Sequence, residues 1–575
     1  MNKLSPVYTL QNECNDCYKC LRECPVKAIK IEDGHASVLS DKCLACGGCV
    51  QACPARAKRV RSDIARVKTL LAGPQTTLVS LAPSWAGVFD FSAPTMIRLL
   101  KKIGFSAVSE TALGAQEVSI ESARILNAQA KGLFISSACP VVVDYIRLYK
   151  TDFSASLLAL ASPALTHAQM LKARYGRDSA VVFIGPCIAK KNEADRHPEL
   201  IDAALTFEEL NCWLKEEQLA PAELRPEAGD VFVPEAAYEG ALYPLEGGMN
   251  ITLQQSGVSG AVQLLNISSL ATLDQALNGL QPQAVTQKIF IEALACSGGC
   301  ANGPALSSAK PGVSVILDIK RKARQRAQIP AAAAAILPEQ HTARQITESV
   351  FPLQEILAAM KKLGKYTEED ELNCGACGYQ TCRALARALL RGEAEPSMCA
   401  SYMRKLAARK AAAMFRCMPS AVIIADSNGQ ALEANDAFLK MFCGEMYEVL
   451  SARPDGLAGA QLDKIIDFAD IFRQTLKTGQ DIHQERYPAG GKLYDISAFT
   501  IEPGVTAGAI ITDVTQSAMN REKIAHKARE VLAKNITIVQ DIACLLGEHM
   551  VDTELLLNSI AQDFEPPDRT ERHVH

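Results

Sequence analysis

Short apolar runs punctuate the first half of the chain: Thr77–Leu81, Gly132–Ile135, Ala180–Ile184 and Ile289–Leu294. They read as buried strands, and the amphipathic stretches between them read as helices, which predicts an α/β domain over 75–360. Lys320–Pro338 opens basic and runs through Pro330 into the alanines 331–335, the pattern of a solvated helix followed by a linker. Thr381–Leu390 is helical in pattern. From about 412 the rhythm changes. Met418–Asp426 reads as a strand, Ser427-Asn428-Gly429-Gln430 as a hairpin turn, and Ala431–Phe438 as a strand running into a helix. Further strands are expected around Lys492–Thr500 and Ala507–Asp513. Beyond 517, Ala525, Leu532, Val539 and Leu546 repeat every seven residues beside Ile524, Val531, Ile538 and Leu545, with Ala528, Asn535 and Ile542 in another stripe position. That is a dimeric or bundled helix, or one packed back on the preceding sheet.

Composition narrows the choices. The chain has 575 residues, 60 basic and 64 acidic side chains and a net charge of −4, so no polyanion-binding surface, and hence no nucleic acid, is implied. About three to five domains are expected at this length. No apolar run of about 18 residues predicts a membrane span. The opening Met-Asn-Lys-Leu-Ser-Pro lacks an apolar signal core, which points to the cytoplasm. In a reducing compartment, 20 cysteines argue for metal ligation over disulfides.

Their spacing is specific. Cys14, Cys17, Cys20 and Cys24-Pro25 form a Cys-x2-Cys-x2-Cys-x3-Cys-Pro run, repeated at Cys43, Cys46, Cys49 and Cys53-Pro54. This is the two-cluster ferredoxin pattern, in which the fourth cysteine of each run serves the other cluster. Cys14, Cys17, Cys20 and Cys53 are assigned to one [4Fe-4S] cluster, and Cys43, Cys46, Cys49 and Cys24 to the other. Paired zinc sites would favour two Cys-x2-Cys units instead. Gly47-Gly48 is expected to let the backbone approach the sulfides. Three further loops carry cysteine at strand ends: Ser136-Ser137-Ala138-Cys139-Pro140, Gly185-Pro186-Cys187-Ile188-Ala189-Lys190-Lys191-Asn192-Glu193, and Glu292-Ala293-Leu294-Ala295-Cys296-Ser297-Gly298-Gly299-Cys300. Loops at one sheet edge are where α/β ligand sites form. Any one of these cysteines alone would read as a small buried hydrophobe.

Residues 1–310 resemble the [FeFe]-hydrogenase family, whose motifs run Thr-Ser-Cys-Cys-Pro, Met-Pro-Cys-x2-Lys-x2-Glu and Glu-x-Met-Ala-Cys-x3-Cys-x2-Gly. The resemblance implies a catalytic H-cluster, a [4Fe-4S] cube joined to a two-iron unit bearing CO, cyanide and an azadithiolate. Cys139, Cys187, Cys296 and Cys300 would hold the cube, with Cys300 bridging. Lys190 would bond one cyanide and Ser84, in Ala82-Pro83-Ser84, the other. The departures matter too. Ala138 replaces the cysteine that hands protons to the bridging amine. A proton-path serine falls at Leu158, and Glu121 roughly matches a path glutamate. Gly185 and Leu294 stand for two methionines, which predicts looser packing. Slow turnover is expected, because general acid–base help contributes about 10²–10⁴-fold. Glu193 reads alternatively as the partner of a basic neighbour, His167 as a satisfied helix histidine, and Cys212 as plain core.

Cys374-x2-Cys377-x4-Cys382-x16-Cys399 is a further four-thiolate set, similar to a small iron–sulfur domain of anaerobic redox proteins and expected to hold a third accessory [4Fe-4S] cluster, with zinc as the alternative. Residues 411–516 resemble a PAS domain, with no sign of haem or flavin attachment and with Cys417 and Cys443 as buried fillers. The expected architecture is multidomain α/β and α+β: a ferredoxin-like two-cluster module (1–62), an α/β hydrogenase catalytic domain (75–360), a small 4Fe-4S domain (361–410), a PAS domain (411–516), a C-terminal amphipathic helix (517–564) and a polar tail (565–575). The resemblances together imply a sensory [FeFe]-hydrogenase. Its implied partners are H2 and protons, a redox partner such as ferredoxin, hydrogenase maturation proteins, a downstream signalling effector and a second copy in a homodimer. A non-catalytic iron–sulfur signalling protein lacking the two-iron unit is the alternative. An electron-bifurcating subunit is disfavoured, since no flavin or nicotinamide motif is visible.

Overall fold

Strands Thr77–Leu81 and Ala180–Gly185 are buried along their whole length, as an unbroken apolar run requires of a strand covered on both faces. They are the inner pair of a parallel four-stranded sheet whose outer strands are Ala107–Glu110 and Ala203–Thr206. A second parallel sheet has Lys288–Leu294 at its centre, between Val262–Ser268 and Gly132–Ile135. Leu81 pairs with Ile184, and Ile291 with Ile135. The loops after each pair therefore leave the same end of their sheet.

The computed structural model describes residues 5–306, 312–326, 328–453, 456–515, 530–536 and 538. They fall into two units, Met1–Met398 and Cys399–His575. Among them no helix is long and apolar enough to cross a membrane.

In the first unit the ferredoxin segment is two small antiparallel pairs, Val7–Thr9 with Lys58–Val60 and Ile29–Glu32 with His35–Val38. Short helices Lys19–Glu23 and Gly48–Ala52 carry Cys20 and Cys49. A buried charge cluster bolts this segment to the α/β region. The fully buried Lys191 ammonium binds Asp63 at 3.0 Å, Glu209 at 2.9 Å and the Ala204 carbonyl at 2.8 Å. Arg61 bridges Asp63 at 3.0 Å and Asp195 at 2.7 Å. Removing one partner of such a set leaves an uncompensated buried charge.

Several local expectations are corrected by packing. Helix Gly312–Lys322 ends at the basic run, whose charges sit at its C-terminus, and it buries Val315 and Ile319. The alanine run after it is no free linker: Glu117 accepts hydrogen bonds from Ala334 N and from Ala335 N at 3.1 Å. The strap continues as Leu337 O accepts from Ala161 N at 2.9 Å, and His341 Nε2 meets Leu160 O at 3.0 Å. Cys212 is exposed, because helix Phe207–Glu216 turns Leu210, Trp213 and Leu214 inward.

The second unit is a five-stranded antiparallel sheet ordered Ala431–Ala434, Ala421–Asp426, Thr506–Asp513, Lys492–Glu502, Ile482–Ala489. The expected turn forms, with Asp426 Oδ1 accepting from Asn428 N and Gln430 N. Aromatic rings fill the core: Phe442 lies 5.4 Å from Tyr494, and Phe468 5.8 Å from Tyr487. Cys443 is half-buried, but Cys417 is exposed at the end of helix Ala400–Cys417, which buries no residue. Residues 530–536 are helical, and the rest of the heptad segment lies outside the described residues.

Candidate functional site

Three loops bring four thiols into one cavity. Cys139, Cys187, Cys296 and Cys300 line it together with Val141, Pro186, Ile188, Leu294 and Pro304. Burial pushes the Cys187 thiol up to about 11, and the neighbouring Cys139 adds to the shift. Cys139, Cys296 and Cys300 are raised too, by burial first; for Cys296 and Cys300 the other thiols of the set follow. Four mutually repelling thiolates in an apolar cavity are costly unless a cation neutralises them, and metal coordination does that. The donor set fits an iron–sulfur cube.

Cys46 lines the same cavity. It also lines a second one, with Cys24, Cys43 and Cys49. The second cavity thus gathers the thiols assigned to one ferredoxin cluster, Cys24 of the first run among them. Its close approach to the first depends on Gly47, at φ +80°, where a Cβ would fall 2.5 Å from Pro304 Cβ and 2.8 Å from Ile188 Cδ1. The glycine serves the seam between the two sites, whereas a Cβ on Gly48 would meet only ordinary contacts, Glu23 O at 3.7 Å and Cys46 Sγ at 3.9 Å. In the other ferredoxin set, Cys14 and Cys17 thiols act on Cys20, whose own thiol is raised mainly by burial.

Around the first cavity, Lys190 Nζ donates to Ser162 Oγ at 2.8 Å and pairs with Glu193 Oε2 at 2.5 Å. Glu193 is therefore the anion beside Lys190. Ser84 Oγ is buried with no hydrogen-bond partner and is not among the residues that line the cavity. Gly185 does not loosen the packing: a Cβ there would fall 2.7 Å from Ala82 Cβ and from the Phe183 ring, so Phe183 occupies a longer side chain's space. That ring lies 5.9 Å from Lys190 Nζ. Ala138 has its N–H on Ser136 Oγ at 3.2 Å, and Ser136 Oγ faces Met249 Sδ at 3.2 Å. Glu121 is not brought to the cavity; both its oxygens hold Arg124, one at 2.8 Å. Leu158 is buried core. His167 is satisfied at both nitrogens, by Ser80 and Ser109 at 2.8 Å, and burial pushes it down to about 3.

In the sequence alone Glu292 stands at the head of the third loop without a role, and nothing singles out Ser122. The Glu292 carboxyl caps helix Gly248–Gln255, accepting from Met249 N at 3.2 Å and Asn250 N at 3.0 Å, and burial pushes it up to about 7. Its signal was an acid at the end of an apolar strand. Ser122 Oγ is buried without a hydrogen-bond partner, one residue beyond Glu121. In the second iron–sulfur segment Cys377 and Cys382 are buried and Cys374 exposed, while Cys399 is buried at the start of helix Ala400–Cys417.

Comparison with known families fits this geometry. Residues 75–304 match the iron-only hydrogenase large subunit, C-terminal domain. The chain carries an [FeFe]-hydrogenase-like catalytic domain. Residues 6–54 match a 4Fe-4S dicluster domain, and residues 370–401 an Fe-S cluster family. Iron hydrogenase 1 of Clostridium pasteurianum is 26% identical, over 45% of this chain and 55% of that protein, so the match spans little more than half the relative's length. Among solved structures, an [FeFe]-hydrogenase of Chlamydomonas reinhardtii aligns over 50% of this chain and all of its own, at 16% identity and a TM-score of 0.40. The PAS domain of histidine kinase ThkA aligns over 16% of this chain and 98% of its own, at 14% identity and a TM-score of 0.13. The hydrogenase-like domain and the small iron–sulfur domains together support a redox function with accessory clusters.

Proposed function

We propose that the chain is a sensory [FeFe]-hydrogenase of low turnover. The observation that carries the reading is the convergence of Cys139, Cys187, Cys296 and Cys300 on one buried cavity that Cys46 of the ferredoxin module also lines. Bound there, an H-cluster supplies reversible heterolysis of H2 to protons and electrons. The four thiolates would hold its cube, with Cys300 the thiolate that the family resemblance makes the bridging ligand. Lys190 presents a cation already steadied by Glu193 and Ser162, and Ser84 presents an unused hydroxyl. Ala138 holds no proton, so proton delivery is slow. Three accessory [4Fe-4S] clusters would supply one-electron redox chemistry beside it, held by Cys14, Cys17, Cys20 and Cys53, by Cys24, Cys43, Cys46 and Cys49, and by the 370–401 segment. An external redox partner such as ferredoxin exchanges electrons with them.

The sheet order of the C-terminal unit supports a PAS domain, and its ring-filled core favours sensing through protein contacts over a bound cofactor. A homodimer and a separate effector protein complete the relay in the cytoplasm, and maturation proteins install the two-iron unit. The test is viologen-driven H2 evolution by the full chain, reconstituted with iron and sulfide and loaded with a synthetic two-iron complex. Slow but metal-dependent evolution is expected. None at all would favour the second reading, a non-catalytic iron–sulfur signalling protein, which Ala138 and the prior neutralisation of Lys190 by Glu193 also favour.

A further inference from the structure

The ferredoxin site of Cys24, Cys43, Cys46 and Cys49 meets the catalytic cavity at Cys46. On its Cys24 side it meets a different neighbour, the loop that carries Cys377. A Cβ on Gly378, at φ +91°, would fall 3.1 Å from Leu21 Cγ and 3.4 Å from Arg22 N, so the loop rests directly on the turn that delivers Cys24. Hydrogen bonds from this loop and from residues 393 and 395 beyond its helix tie the segment to the ferredoxin module. Arg22 reaches Ala376 O at 3.5 Å, Ile31 N donates to Glu393 O at 2.9 Å, and Gly34 N donates to Glu395 Oε1 at 3.3 Å. Lys42 pairs with Glu393, which Arg391 also holds at 2.8 Å.

Lys27 sits in this seam. Its Nζ donates to Leu21 O at 3.0 Å and Arg22 O at 3.1 Å, the carbonyls of the same turn. Its backbone is left-handed, at φ +52°, a conformation a lysine rarely adopts. Burial pushes the ammonium below its usual range, and the thiols of Cys24 and Cys377 are the strongest influences against that. One cation is thus within electrostatic reach of a thiol from each of two cysteine sets. Tyr379 stands beside the same two thiols, its hydroxyl buried without a hydrogen-bond partner.

We propose that Lys27 is a cation shared by the Cys24 ferredoxin cluster and the cluster of the Cys377 loop, and that their seam is a direct electron junction. One electron leaves the reduced Cys24 cluster, which is oxidised, and reduces the Cys377 cluster; no bond changes and no proton moves. The hydrogenase reading is needed only for the source, two electrons and two protons per H2. The catalytic site then reports toward the C-terminal half without passing the cluster of Cys14, Cys17, Cys20 and Cys53, which is left for an external partner. A fixed, partly buried cation favours the more negative, reduced state of both clusters it serves.

The test uses the full chain reconstituted anaerobically with iron and sulfide, and EPR-monitored redox titration with dithionite and mediators. Lys27→Gln should lower the midpoint potentials of two accessory clusters, one of them the signal that disappears in Cys377→Ser, so that the reduced fraction of both at a fixed potential falls severalfold. Lys27→Arg should restore both. A shift in one cluster or in neither would overturn the shared cation. A second measurement keeps Lys27 intact: in Cys17→Ser loaded with the two-iron unit, H2 should still reduce the Cys377 cluster in freeze-quenched samples. Reduction of the Cys24 cluster but not the Cys377 cluster would overturn the junction. If H2 reduces no cluster while dithionite reduces them all, the hydrogenase reading fails, and the junction is judged on the potentials.

Discussion

The two large interiors of this chain are built on opposite terms. The cavity between the parallel sheets is lined by four thiols that raise one another's proton affinity. The interior of the C-terminal sheet is closed on itself, with Phe438, Phe442, Phe468 and Tyr494 in mutual contact. Four thiols crowded into one apolar cavity are costly as thiolates unless a bound cation neutralises them. An interior filled by rings gains its stability from packing alone. The contrast is one of lining: the first interior gathers metal-ligating side chains, and the second is filled by its own rings.

The contrast breaks most completely at the thiols. Cys300→Ser or Cys187→Ala should abolish H2 turnover and remove the cube, read as lost iron and lost absorbance near the charge-transfer bands, while hydrogen exchange over 421–513 stays unchanged. Phe468→Ala should do the reverse. Loss of this buried ring is expected to cost about 3–5 kcal/mol of local stability, measured as hydrogen-exchange protection over 421–513, without altering iron content.

Glu292 sharpens the first interior. Folding raises its pKa from the ordinary 4.5 to about 7, so the folded chain keeps a proton there that the unfolded chain has released. Stability should therefore fall as pH rises from about 4.5 to 7, by about 3 kcal/mol. Denaturation curves across that range should lose this slope in Glu292→Gln; an unchanged slope would show that the carboxyl is not the group responsible. The smallest effect concerns position 138. Ala138→Cys should raise H2 evolution at least about tenfold in a fully loaded enzyme, and unchanged turnover would place the limiting step elsewhere.

Much of this was legible in the chain because it is local. Thiol spacing carries its own chemistry, and apolar runs that end in cysteine loops announce strand ends at a site. What was not legible depends on partners distant in sequence. That Phe183 fills the space a larger residue would need at 185 follows from how two strands abut at Ala82. That the alanine run is a strap follows from Glu117, more than 200 residues earlier. Lys190 and Lys191 are adjacent and chemically identical. Yet one faces Ser162 and Glu193 beside the cavity, and the other is sealed between Asp63 and Glu209. Helical geometry turns neighbours about 100° apart, and only the fold tells which direction is the site.

The central claim is that the cavity of Cys139, Cys187, Cys296 and Cys300 holds an H-cluster. Infrared spectroscopy of the full chain, after loading with a synthetic or enzyme-built two-iron unit, tests it most directly. The account predicts protein-bound CO and cyanide stretching bands that respond to H2 and vanish in Cys300→Ser. A chain that binds its iron–sulfur clusters but shows no such bands would contradict it.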